Sequence, residues 1–247
     1  MFIDPRFCGP PGIANGGFAC GSLAALLGGA AEVTLRRPLP LGRALPVRED
    51  GDGVLVVPDD GGPPLAEARR SAVEPEPAVP PVPADLVRAV AGRAAYYADP
   101  AFPGCVVCGP DRAPGDGLRI FPGPLPDRSA WAAPWIPDTS VAATDGRVRP
   151  EVVWAALDCP SGLAAGEAAG LTGDTSALLG RMSARLLARP RPGEECRVVA
   201  WPVARDGRKL TARSALLAPD GGAMATARTL WLTVPRPALR PAAGATP

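Results

Sequence analysis

The run Gly12-Ile13-Ala14-Asn15-Gly16-Gly17-Phe18 holds the one asparagine in a chain of 247 residues that has no histidine, no glutamine and a single lysine, Lys209. Behind it lies Ala19-Cys20-Gly21-Ser22-Leu23-Ala24-Ala25-Leu26-Leu27, an apolar-leaning stretch of helical length. Asparagine is favoured at helix entrances, where its side chain accepts from an otherwise unpaired backbone N–H. Glycines in the first turn leave further N–H groups open to a ligand at the positive end of the helix. The same residues also suit an Asn-Gly turn that only caps a helix, so the run predicts a helix start and leaves a ligand role open. The lack of histidine excludes a Ser-His-Asp triad, a Cys-His pair and any histidine metal ligand.

Composition excludes other classes. With 47% hydrophobic and 21% charged residues the chain reads as an ordinary globular protein, long enough for one large domain or two smaller ones. Its 26 basic and 25 acidic residues leave a net charge of +1, so no global field favours nucleic acid or a membrane surface. No apolar run is long enough to span a bilayer, and Met1-Phe2-Ile3-Asp4-Pro5-Arg6 lacks the layout of a signal peptide; a cytoplasmic protein is expected. The cysteines, Cys8, Cys20, Cys105, Cys108, Cys159 and Cys196, are expected as free thiols. Cys105-Val106-Val107-Cys108 is half of a zinc-ribbon pattern whose second pair is missing, although folding could bring Cys8 and Cys159 to it. The expectation is no metal and no cofactor.

Outward from the Asn-Gly-Gly helix, the chain states one order of elements twice. Residues 31–38 alternate as a strand and end in Arg37-Pro38; strands follow at 43–48, 53–57 and 64–70, separated by Asp50-Gly51-Asp52-Gly53 and Asp59-Asp60-Gly61-Gly62. A Pro-rich run over 73–83 cannot join a sheet and reads as a linker. A second helix starts at Arg149-Pro150-Glu151, with proline suited to its first turn. Strands are expected at 178–189, again ending in Arg-Pro, then at 196–203, 209–217 and 223–234, with hairpins at Asp206-Gly207 and Asp220-Gly221-Gly222. The fold class expected is α+β, two repeats of one long helix and an antiparallel sheet.

These features resemble the hotdog-fold superfamily of acyl-thioester enzymes in its double-hotdog form. Asn15-Gly16-Gly17 resembles the His/Asn-Gly-Gly that opens the central helix in phenylacetyl-CoA thioesterase-like members. The segment from Trp154 to Gly162 resembles the later part of that helix, where the family places an acid, here Asp158. Cys105 to Asp111, with Gly115 to Ile120, resembles a lead-in found before such domains. The resemblance implies a long central helix wrapped by sheet in each repeat. It sets the repeats at 1–72 and 101–235, with the Pro-rich linker and a short helix at 73–100 and a disordered tail at 236–247.

Laid over both halves, the family helix shows a division. The first half keeps the Gly-Gly entrance but has Ala24 at the acid position; the second keeps Asp158 but has Arg149, Pro150 and Glu151 at the entrance. In the family, glycine donors and carboxylate come from opposite partners, so the resemblance implies one composite site of Asn15, Gly16, Gly17 and Asp158. The Gly16 and Gly17 N–H groups would hold the thioester oxygen, and Asp158 would activate water or attack the carbonyl itself. Glu151 is the rival acid. Phe18 and Trp154 would line the acyl site with Leu23 and Leu163, Ser176 would orient water or the acyl group, and Arg37 and Arg189, like Arg36 and Arg191, would meet the nucleotide end of coenzyme A. The implied partner is an acyl-CoA or acyl-carrier thioester, with room for a homo-oligomer. Two other activities stay open: a non-catalytic acyl-thioester or small-molecule binding protein, and, ranked below it, a hydratase or dehydratase.

Overall fold

The computed structural model describes residues 1–59, 61–71 and 79–236. Asp60, most of the Pro-rich run before Val79, and the expected tail beyond Arg236 lie outside the described residues. The order is α1 (Gly16–Leu27), β1 (Ala31–Leu35), β2 (Arg48–Glu49), β3 (Leu55–Asp59), β4 (Gly62–Arg70), α2 (Ala84–Val90), β5 (Gly123–Pro124), β6 (Trp131–Trp135), α3 (Pro150–Ala168), β7 (Thr175–Leu186), β8 (Cys196–Asp206), β9 (Lys209–Leu217) and β10 (Ala223–Pro235). Every strand pairs antiparallel with its neighbours in one ten-stranded sheet, in the order β2-β3-β4-β1-β7-β10-β9-β8-β6-β5. Among the described residues no helix is long and apolar enough to cross a membrane.

The sheet reads alike in both directions from its centre. Beyond the β1–β7 pairing, where Ala31 faces Ala184, one side runs β4, β3, β2 and the other β10, β9, β8. Each side begins with the strand that follows a long helix, since α1 precedes β1 and α3 precedes β7. Both helices pack on the sheet, α1 on β1, β4 and β7, and α3 on β7 to β10 and β6. One expected strand is corrected: of residues 43–48 only Arg48 joins the sheet. Pro46 has no N–H to give a ladder, and the Leu45 N–H is already donated to the Met1 carbonyl at 2.7 Å. The β6 strand, Trp131–Trp135, has no counterpart among the expected strands.

The helices meet backbone to backbone. A Cβ on Gly21 would stand 2.6 Å from the Glu151 Cα and 2.8 Å from the Trp154 Cβ. One on Gly17 would stand 2.8 Å from the Trp154 carbonyl oxygen and 2.9 Å from the Ala155 Cα. Two glycines four residues apart lie on one helix face, and here that face has no side chains to hold α3 away. Helix propensity alone favours alanine over glycine by ~1 kcal/mol. The packing predicts the opposite sign: Gly21→Ala destabilises the fold by ~1–3 kcal/mol in urea denaturation. Gly104→Ala, where nothing lies within 4 Å of the new methyl, stays close to wild type. A Gly21→Ala variant as stable as wild type contradicts the close approach.

Candidate active site

The approach at Gly17 delivers a carboxylate from α3 to the amino end of α1. Asp158 is 1% exposed, and its Oδ2 accepts the Gly17 N–H at 2.8 Å and the Asn15 side-chain amide at 3.0 Å. Asn15 uses its Oδ1 to accept the Phe18 N–H at 2.9 Å. Two of the N–H groups that a helix start leaves unpaired are thus satisfied, one locally and one by a residue 141 positions away. The carboxylate also faces the positive end of the helix. The Asp158 Oδ1 is buried and has no partner among the described residues. Burial pushes this carboxyl up to about 7; the Gly17 hydrogen bond opposes the rise, Cys105 adds to it, and the Asn15 hydrogen bond opposes it.

The stretch of α3 that carries Asp158 is held from behind. Pro160 lies inside the helix and has no N–H to contribute. Hydroxyls take up nearby carbonyls: Ser161 Oγ donates to Asp158 O and Ser214 Oγ to Leu157 O, each at 2.7 Å. Ser161 Oγ in turn accepts the Trp231 indole N–H at 3.1 Å.

A cavity of about 480 Å³ opens at this point. Asn15, Gly16, Asp158 and Cys159 stand in its wall, Leu163, Leu179 and Trp231 give it an apolar side, and Arg36, Arg37, Arg208 and Arg236 also line it. The Gly16 N–H is accepted by no group among the described residues. Three sulfurs, those of Cys105, Cys108 and Cys159, lie within 4.8 Å of one another in the same wall and are the cluster that could hold a metal.

The expected site residues divide. Asn15, Gly16, Asp158, Arg37 and Ser176 share the cavity. Gly17 does not reach it, and its N–H, expected to serve the substrate, is occupied by Asp158 because the helices approach so closely. Phe18, Trp154 and Arg189 lie elsewhere. Phe18 stacks on Phe7 with ring centroids 3.9 Å apart, and Trp154 is buried against Gly21. Arg189 pairs with Asp145 and donates to the Val148 carbonyl at 3.1 Å. Leu23 is core, Leu163 is wall, and Glu151 sits beside Arg149 at 3.6 Å. Sequence reasoning missed Arg208 and Arg236, which sit beyond a hairpin glycine and at the end of β10 with no motif to mark them. It also missed Tyr96 in the cavity wall.

Asn15 serves both helices, so Asn15→Ala is predicted to cost ~1–2 kcal/mol in chemical denaturation. Asn15→Ser, which restores a capping oxygen without the amide that reaches Asp158, falls between it and wild type. An Asn15→Ala variant that unfolds with wild type would show that this cap does not hold the helix end.

No protein-family profile matches the chain, and no curated protein matches it in sequence. Solved structures do match in shape. A candidate thioesterase from Novosphingobium aromaticivorans is 16% identical with a TM-score of 0.59, the match covering 94% of this chain and 93% of that one. A thioesterase from Haemophilus influenzae is 14% identical over 52% of this chain and 86% of its own, with a TM-score of 0.45. A candidate thioesterase related to phenylacetic acid degradation from Ralstonia eutropha is 17% identical over 50% and 93%, with a TM-score of 0.43. The first of these spans nearly the whole of both chains, and by that match the chain has the hotdog fold.

Proposed function

We propose that this protein hydrolyses an acyl thioester, of coenzyme A or of an acyl carrier, at one composite site between two fused hotdog repeats. The observation that carries the reading is the meeting of the α1 entrance with Asp158 in the wall of one cavity, 2.8 Å from Gly17 N to Asp158 Oδ2. The matching order of strands on either side of the β1–β7 pairing supports a repeat over 1–72 and another over 101–235. The candidate thioesterase that matches nearly the whole chain supports the reaction class.

In this reading the thioester carbonyl lies against Gly16, whose N–H faces the developing oxyanion at the positive end of α1. One such donor is commonly worth ~3 kcal/mol in the transition state. Gly17 instead holds the carboxylate in place. Asp158 Oδ1 takes a proton from water as the water oxygen attacks the carbonyl carbon. The carbon–sulfur bond then breaks, and the departing thiolate takes up that proton. Direct attack by Asp158 would place an anhydride before the same hydrolysis. The acyl chain runs along Leu163, Leu179 and Trp231, and the arginines of the wall, with Ser176, meet the polar remainder of the substrate. A second reading, acyl-thioester binding without turnover, is favoured by the engagement of Gly17, which makes Asp158 a helix cap as well as a candidate base.

Thiol release measured over a panel of acyl-CoA thioesters separates the two. Asp158→Asn is predicted to lower kcat by about 100-fold to 10,000-fold, the span of a lost general base. Unchanged hydrolysis in this variant would remove Asp158 from the reaction. No release from any thioester by the wild-type protein, with acyl-CoA still bound, would establish the binding reading.

A further inference from the structure

The proposed hydrolysis leaves three thiols unused in the wall beside Asp158. Cys105 and Cys108 come from the loop before β5, and Cys159 comes from α3. We propose that Cys105, Cys108 and Cys159 bind one thiophilic divalent cation, with zinc as the leading case, and so tie the cysteine loop to the helix that carries Asp158. This departs from the sequence-based expectation of no metal, because only folding brings the third sulfur to the pair.

The geometry suits a shared ion. Zinc–sulfur bonds of about 2.3 Å set tetrahedral sulfurs about 3.8 Å apart. Cys105 Sγ and Cys159 Sγ are 3.6 Å apart, and all three sulfurs lie within 4.8 Å of one another. The loop presents its two sulfurs from a fixed frame. Gly109 N donates to Cys105 O at 2.9 Å, Leu118 N to Val106 O at 2.7 Å and Ile120 N to Val107 O at 2.9 Å. A Cβ on Gly109 would stand 2.5 Å from both the backbone nitrogen and the carbonyl oxygen of Cys105, so the tight turn after the second cysteine requires glycine.

Charge points the same way. A divalent cation held by the three sulfurs would offset the negative charge that coordination puts on them next to the buried Asp158 side chain. The arginine hydrogen-bonded to a cysteine among the described residues is Arg112, and it serves Cys8 at 2.9 Å. A disulfide would join two sulfurs and leave the third idle, whereas three soft donors from two elements match the ligand preference of zinc. Coordination releases the thiol protons to solvent and needs no oxidant. Because all three cysteines line the cavity, the fourth position of the ion would face it.

The test uses the full chain and does not depend on thioester hydrolysis. Reduced, chelator-treated wild-type protein is titrated with Co²⁺ and read by thiolate-to-cobalt charge-transfer absorption, and metal content is measured on protein as purified. The expected result is a band that saturates at one equivalent, is displaced by Zn²⁺, is lost in Cys108→Ser and in Cys159→Ser, and is retained in Cys196→Ser. Absence of the band in wild type overturns the proposal, whatever the variants do. So does a band unchanged in both ligand variants. Fewer than six free thiols in denatured, unreduced wild-type protein would also overturn it, by marking a disulfide instead.

Discussion

The approach of α1 to α3 across Gly17 and Gly21 is the constraint on which the rest of the molecule depends. Gly17 meets residues 154, 155 and 158 while Gly21 meets 151 and 154, so numbers rise along one helix as they fall along the other. The helices cross antiparallel, and at Gly17 and Gly21 the first helix puts no side chain of its own between the backbones. A small gap there would forfeit dispersion attraction, and a small excess would produce clashes; both carry a real cost in a packed interior. That cost fixes the spacing, and the spacing puts a carboxylate from the second half on a helix end of the first.

The two helix ends are unlike, and the difference is chemical. At α1, Asn15 caps, Gly16 lines the cavity with its N–H unaccepted among the described residues, and Asp158 arrives from α3. At α3, Arg149 gives no side-chain cap and Pro150 has no N–H. The Arg149 guanidinium instead lies over the rings of Phe7 and Phe18, 4.8 Å and 5.8 Å from their centroids. Phe18, a candidate acyl contact by sequence, is therefore part of the platform that fills the non-equivalent end.

Much of the sheet was legible because its signals are local. Strands β7 to β10 follow alternation and Asp-Gly hairpins to within a few residues of their ends, and Asn15 and Pro150 mark both long helices. The failures also have local causes. Trp131-Ala132-Ala133-Pro134-Trp135 hides a strand behind a proline, and residues 43–47 alternate yet meet the chain start instead of a ladder. In the site, Asn15 and Asp158 were readable as residue types, while the bond that takes Gly17 out of reach depends on the distance between helices. Arg189 looked free because Asp145 is remote in sequence, and Cys159 joined Cys105 and Cys108 only through the fold.

The central claim is that a thioester carbonyl docks where the α1 entrance meets Asp158. A crystal structure with a non-hydrolysable 2-oxoalkyl-CoA, in which a methylene stands between the sulfur and a retained carbonyl, tests it most directly. The account predicts the carbonyl oxygen within hydrogen-bond reach of the Gly16 N–H, the carbonyl carbon beside Asp158 Oδ1 with room for one water, and the acyl chain along Leu163 and Trp231. An analogue bound away from this cavity, or a carbonyl separated from Asp158 by protein, would contradict it.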